Sequence, residues 1–262
     1  MKLTMLGTGN AGVTECYNTC FVIENEGEYL LVDGGGGNGL LKQLKAAGIR
    51  RSDIRNIFVT HRHTDHLLGI VWMLRMICQN RGNTEDVTIY GHDEVIDLLR
   101  ELTERMFPRP EGGIPSQLHL IALADGQEFQ AIGHRFQAFD IQSVKAKQFG
   151  FTMYYGNGKK LTCCGDESYR DCERHYVEGS TWLLHEAFCL ESESEIFRPH
   201  EKQHSTVKDA CKIAEELGVE NLLLYHTEEK NLVNRKELYT AEGRQYFTGN
   251  LVVPDDLDVL IL

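Results

Sequence analysis

The chain has 262 residues, 42% of them hydrophobic and 25% charged, a balance that fills a globular core and excludes an intrinsically disordered chain. A formal net charge of −12 argues against a dedicated nucleic-acid scaffold, whose affinity for phosphate backbones needs a basic surface, although a local basic patch would override it. No apolar run reaches membrane-span length and the one before Gly7 is too short for a signal peptide, so a soluble, cytoplasmic protein built as one domain over 1–262 is expected.

Short apolar runs ending in Gly, His or Asp read as strands: 3–6, 19–23, 29–32 and 57–60, then 161–164, 181–184 and 222–225. Helical patterns cover 40–47, 67–78 and 207–217. In the last, Val207, Ala210, Cys211, Ala214 and Leu217 share a face and Gly218 is placed to end it. This order predicts an α/β fold of two mixed β-sheets sandwiched between outer helices. The stretch 107–117, with Pro108, Pro110 and Pro115, reads as an exposed loop. Cysteines at 16, 20, 78, 163, 164, 172, 189 and 211 form no CxxC pair and read as reduced, buried thiols; a structural zinc on Cys16 and Cys20 is the lesser reading.

Gly7-Thr8-Gly9-Asn10-Ala11-Gly12 matches the dinucleotide fingerprint GxGxxG, with Asp33 at a suitable distance downstream. That site needs a helix opening on the glycines. The residues that follow, 13–23, are β-branched and aromatic, so the glycines are read instead as a tight turn beneath another site.

The strongest signal is Thr60-His61-Arg62-His63-Thr64-Asp65-His66, after the strand at 57–59. Three imidazoles and a carboxylate in six residues are hard to explain as packing, the alternative being a solvated polar loop. Alternation points His61 and His63 the same way on an extended segment, while Asp65 and His66 can turn toward a second position. Such ligands suit Zn2+, Mn2+ or Fe2+, one ion or two, and the lack of thiolate disfavours a closed structural site. Asp166, His185 and His226 each stand where an apolar run stops, where a strand presents a side chain at the sheet edge. His204 precedes a helix with Ser205 or Thr206 available as N-cap.

HxHxDH after a strand resembles the metallo-β-lactamase superfamily, closest to its ribonuclease Z-like branch, and the likeness runs over nearly the full length. Leu31-Val32-Asp33-Gly34-Gly35 is similar to the family's early Asp-Gly motif, in which the Asp buttresses the histidine loop. Cys164-Gly165-Asp166 resembles the strand end whose carboxylate bridges two metals, and Tyr225-His226-Thr227 the last metal histidine. His185-Glu186-Ala187 and His204-Ser205-Thr206 resemble motifs in which Glu186 and His204 would form a proton-transfer pair. The resemblance implies metal ligands His61, His63, Asp65, His66, Asp166 and His226, catalytic roles for Asp65, His204 and Glu186, and a homodimer.

Two departures bear on function. The position of a further metal histidine is read as Gln142, with His134 a less suitable substitute, so the ion at His61 and His63 would be held weakly. Only the short stretch 154–164 precedes Gly165-Asp166, so the flexible arm of long-armed tRNA-processing members is missing. A metal-dependent phosphodiesterase using metal-activated water on a nucleotide, small phosphodiester or RNA is therefore expected. The alternatives are a lactone or thioester hydrolase of the same fold, or a non-catalytic metal-binding protein. Arg75, Arg81, Arg105 and Arg109 read as solvated surface in preference to a phosphate-binding rim.

Overall fold

A computed structural model describes residues 1–79, 85–110 and 112–262. Its strands form two mixed sheets. The first runs β14-β1-β2-β3-β4-β5-β6, with β1 Lys2–Gly7, β2 Cys20–Asn25, β3 Glu28–Val32, β4 Ile54–Phe58, β5 Val87–His92, β6 Leu118–Leu123 and β14 Val259–Ile261. The second runs β13-β12-β11-β10-β9-β8-β7, with β7 Glu128–Ala131, β8 His134–Asp140, β9 Phe149–Tyr155, β10 Lys159–Cys163, β11 Trp182–Glu186, β12 Asn221–Tyr225 and β13 Asn250–Val252. Each sheet is antiparallel on one side and parallel on the other: β3 to β6 pair in parallel, as do β10 to β13.

Helices α1 (Gly39–Ala46), α2 (Thr64–Cys78) and α3 (Asp93–Met106) pack on the first sheet; the second carries α6 (Val207–Glu216) and α7 (Arg235–Gly243), with the single turns α4 (Arg174–Val177) and α5 (Ser194–Phe197) at its edge. Both faces of the inner strands are thus covered, and their sequences are correspondingly apolar throughout. In β12, Leu223 and Tyr225 point into the core between the sheets, with Phe58, Phe136 and Phe151, while Leu222 and Leu224 face Val207, Ala210, Cys211 and Ala214 of α6. The expected α/β sandwich of two sheets between helices is the observed one.

The helix read at 40–47 is α1, and that read at 207–217 is α6. Thr206 caps α6 by accepting from Asp209 N, in a reciprocal capping box, and Gly218 follows it at φ 62°. The helix read at 67–78 begins earlier, at Thr64. Asp65 and His66 therefore lie in its first turn, which carries them away from the extended His61 and His63. Strands β5 to β9, β13 and β14 lie outside the runs read as strands above; His134 opens β8, paired with Ala131. The described residues of 107–117 are irregular, as expected. Arg81 lies outside the described residues; Arg75 stacks over Trp72 and Arg105 pairs with Glu101 on the exposed face of α3. Among the described residues no helix is long and apolar enough to cross a membrane.

Candidate metal centre

The parallel strands β4, β10, β11 and β12 all deliver their C-terminal ends to one edge of the sandwich. Glu186 closes β11 and His61, Asp166 and His226 stand beyond the other three, and the crevice outside the carboxyl ends of such strands is where α/β sheets place their chemistry.

Asp33 ends β3 and organises the histidine loop. Its carboxylate accepts from Thr60 N at 2.8 Å, Thr60 Oγ1 at 2.7 Å and His66 Nδ1 at 2.7 Å. The Asp33 bond turns His66 Nε2 toward the centre and fixes its tautomer. The following Gly34 lies against α2: Gly34 N donates to His66 O at 2.8 Å, and a Cβ on Gly69 would meet Gly34 O at 1.8 Å. Side chains are absent from both positions because backbone must touch backbone there.

Four donors then converge. His66 Nε2 stands 3.3 Å from Asp65 Oδ2 and 3.4 Å from Asp166 Oδ2; His226 Nε2 stands 3.5 Å from each. Ligands about 2.1 Å from a tetrahedral ion are about 3.4 Å from one another, so the cage has the dimensions of a small divalent site. His66 Nε2 and Asp166 Oδ1 are buried without a hydrogen-bond partner, which an ion would supply. These residues fit a metal. A second group, His61, His63 and the shared Asp166, lies beside it, with His61 Nε2 3.7 Å from Asp166 Oδ2 and 2.9 Å from His63 Nδ1.

Burial pushes His61 well below the ordinary imidazole range, leaving it neutral and able to donate a lone pair. Burial would raise Asp166 and Asp65, but the surrounding imidazoles outweigh it and hold both carboxyls well below their usual range. His66 is raised because Asp33, Asp65 and Asp166 together outweigh its burial.

His226 takes a left-handed backbone at φ 57°, held from the other side by the N-terminal glycine loop. Thr227 N donates to Thr8 O at 3.0 Å, and Asn10 donates to Thr227 O through its backbone N at 3.0 Å and its Nδ2 at 3.1 Å. The GxGxxG run therefore sits beneath the metal site and leads into β2, with no helix on its glycines.

His204 and Glu186 come together with His226 as a third cluster. His204 Nδ1 is 3.6 Å from Glu186 Oε2, and its ring stacks on Phe188 with centroids 5.0 Å apart. The backbone N of Ser205 donates to the other carboxylate oxygen of Glu186. His185 bonds the carbonyl of Glu186 through Nδ1 and is buried away from the pocket. Gln142 is not in the centre: it is exposed, at φ 56°. The expectation that it stands in for a histidine is thus corrected, and His134 is distant as well, lining a different hollow beside Tyr155. The turn instead offers Lys145, which with Asn10, Phe188, Phe197, Lys202 and Lys230 lines a pocket of about 620 Å³ over the donors. Apart from Asn10, which belongs to the GxGxxG run, those lining residues carry no motif and were not anticipated.

Relatives agree with this geometry. The family model described as anti-Pycsar protein Apyc1 matches residues 1–248. Ribonuclease Z of Pyrococcus abyssi is 26% identical over 306 residues, covering 100% of this chain and 96% of that protein. Ribonuclease Z of Nostoc sp. is 25% identical over 300 residues, covering 94% and 91%. Among solved structures, the metallo-β-lactamase fold protein YhfI of Bacillus subtilis superposes with a TM-score of 0.80 at 19% identity, covering 99% of this chain and 98% of that one. The short form of human tRNase Z gives 0.76 at 22% identity, covering 100% and 99%. With a family model spanning nearly its whole length and two such sheets meeting at an HxHxDH loop, the chain belongs to the anti-Pycsar protein Apyc1 family, within the ribonuclease Z-like branch of the metallo-β-lactamase superfamily.

Proposed function

We propose that the protein is a metal-dependent phosphodiesterase acting on a small phosphodiester such as a nucleotide. The observation that carries this reading is that His204, with Glu186 buried behind it, lines the same pocket as Asp65, Asp166 and His226 of the four-donor cage, so that a proton donor and a metal site address one substrate. Zinc suits the imidazole and carboxylate donors, with manganese or iron as alternatives. His61, His63, Asp65, His66, Asp166 and His226 would hold it. When bound, the ion supplies a Lewis acid and a water of lowered pKa as nucleophile toward phosphorus.

Asp65, which lines the pocket, would orient a water there and accept its proton. His204 turns Nδ1 toward Glu186 at 3.6 Å, an ion-pair separation and not a hydrogen bond, and would use Nε2 to give a proton to the leaving oxygen across the pocket. Phe188 holds the ring in that plane. A pocket of about 620 Å³ is the size of a small-ligand site, and only the turn Gly156–Gly158 joins β9 to β10, where an RNA-gripping arm would insert. RNA is the second reading, supported by the ribonuclease Z relatives. The family's description names what its members counter and not a bond they break.

Bis(p-nitrophenyl) phosphate hydrolysis by protein loaded in turn with zinc, manganese and iron, beside His226→Ala, tests the reading. Metal-dependent turnover lost in the variant is expected, with a dinucleotide competing more strongly than a tRNA. Protein shown to contain metal but inert with every ion would move the assignment to lactone or thioester hydrolysis, or to metal binding without catalysis.

A further inference from the structure

The two donor groups are unequal. Asp65, His66, Asp166 and His226 form a set of four, whereas His61 and His63 have only the shared Asp166 beside them. Lys145 lines the same pocket as His63 and Asp166. A protonated lysine has no lone pair for a metal, so this side is completed by charge and not by another donor.

Lys145 is not an ordinary surface lysine. Its Nζ donates to the Lys202 carbonyl at 3.0 Å and stands 3.6 Å from Glu167 Oε1. Glu167 is 1% exposed and itself fixed, accepting from Ser143 Oγ at 2.6 Å and pairing with Arg170 Nη2 at 2.8 Å. It directly follows Asp166, so one strand end sets both the shared carboxylate and the anchor of the ammonium. An ammonium has three donors; one goes to Lys202, and 3.6 Å to Glu167 is too long for a hydrogen bond. The head group is therefore oriented with donors to spare toward the pocket, 29% exposed in its side chain.

We propose that Lys145 is a substrate-binding residue that contacts a non-bridging phosphoryl oxygen on the His61–His63 side of the centre. This rests on the phosphodiesterase reading. It makes Lys145 a recogniser of the phosphate anion, whatever leaving group the substrate carries. As a charge-assisted contact, its loss is expected to weaken anion binding roughly tenfold to a hundredfold.

The test is calorimetric titration of zinc-loaded protein with inorganic phosphate, with metal content and thermal midpoint measured alongside. Lys145→Ala is expected to raise the phosphate Kd by ~10-fold or more, with metal content and midpoint unchanged, and Lys145→Arg to restore most of the affinity. In hydrolysis, Lys145→Ala is expected to lower kcat/KM by the same factor for good and poor leaving groups. If wild type hydrolyses phosphodiesters and Lys145→Ala binds phosphate within twofold of it, the assignment of Lys145 fails and the phosphodiesterase reading stands. Loss of metal from Lys145→Ala would also overturn it, making the lysine a brace for Asp166 through Glu167. Wild type that neither hydrolyses phosphodiesters nor binds phosphate would overturn both.

Discussion

Asp33 and His66 share the bond on which the centre is hung: the Nδ1–H of His66 donates to Asp33 Oδ2 at 2.7 Å, with both residues buried. Because the same carboxylate also takes the backbone and hydroxyl of Thr60, it fixes the start of the histidine loop and the tautomer of its last histidine together. Asp33→Asn keeps the volume but presents an amide to a ring N–H. We expect it to weaken zinc binding ~10- to 100-fold, read by competition with a chromogenic chelator. Unchanged affinity would mean that Asp33 is only a structural acceptor.

On the proposed mechanism His204 acts at the leaving group. Replacing it by Ala is expected to cost ~10²- to 10⁴-fold in turnover of an alkyl-leaving phosphodiester, and little with p-nitrophenolate, which departs unaided. Glu186→Gln should show the same pattern more weakly, since Glu186 acts through the ring. Equal losses on both substrates would count against proton donation and favour a role for His204 in binding.

How much of this was legible from the sequence depends on how local each signal is. His61, His63, Asp65 and His66 fall within six residues, so their chemistry could be read without the fold. Asp166, His185 and His226 could be read because each stands where an apolar run stops, whereas Glu186 and its pairing with His204 came from the family resemblance. The strand β8 carried a signal too: Phe136 and Ala138 turn inward while Arg135 and Gln137 turn out, the period of a half-buried strand, masked by the preceding Gly133. Lys145 had none. Its place over the pocket comes from the 141–148 turn packing against Glu167 and Lys202, residues 22 and 57 positions away, a relation that exists only after folding.

Arg235 ties Thr227, the neighbour of His226, to Pro254 and Asp255. It is 1% exposed, and donates to Thr227 Oγ1 at 2.7 Å and to Pro254 O at 2.9 Å while pairing with the half-exposed Asp255. Since Asp255 can turn to water, the cost of Arg235→Met falls on the two buried acceptors left unpaired, about 1–3 kcal/mol in urea unfolding. Asp255→Asn should cost under about 1 kcal/mol, as for an exposed ion pair. Loosening Thr227 also frees the strained His226, so Arg235→Met is expected to bind zinc more weakly while Asp255→Asn binds it normally. Equal effects of the two variants would place the role in the ion pair and not in the buried contacts.

Glu173 gives the stability a pH dependence. Its side chain is almost wholly buried, and burial pushes its carboxyl up to about 8 from an ordinary 4.5, so the folded protein holds a proton there that the unfolded chain has released. For a group whose folded pKa is raised, the contribution is complete below pH 4.5 and is lost as pH rises through 8. Across that window the unfolding free energy should fall by up to ~1.4 kcal/mol per pH unit from this group. Glu173→Gln, neutral at every pH, removes the slope. The difference in urea-unfolding free energy between variant and wild type, in which the metal ligands' own titration cancels, should therefore grow in the variant's favour from pH 5.5 to pH 7.5. Parallel profiles would show that Glu173 is ionised in the folded protein, carried by Arg170 in spite of its burial.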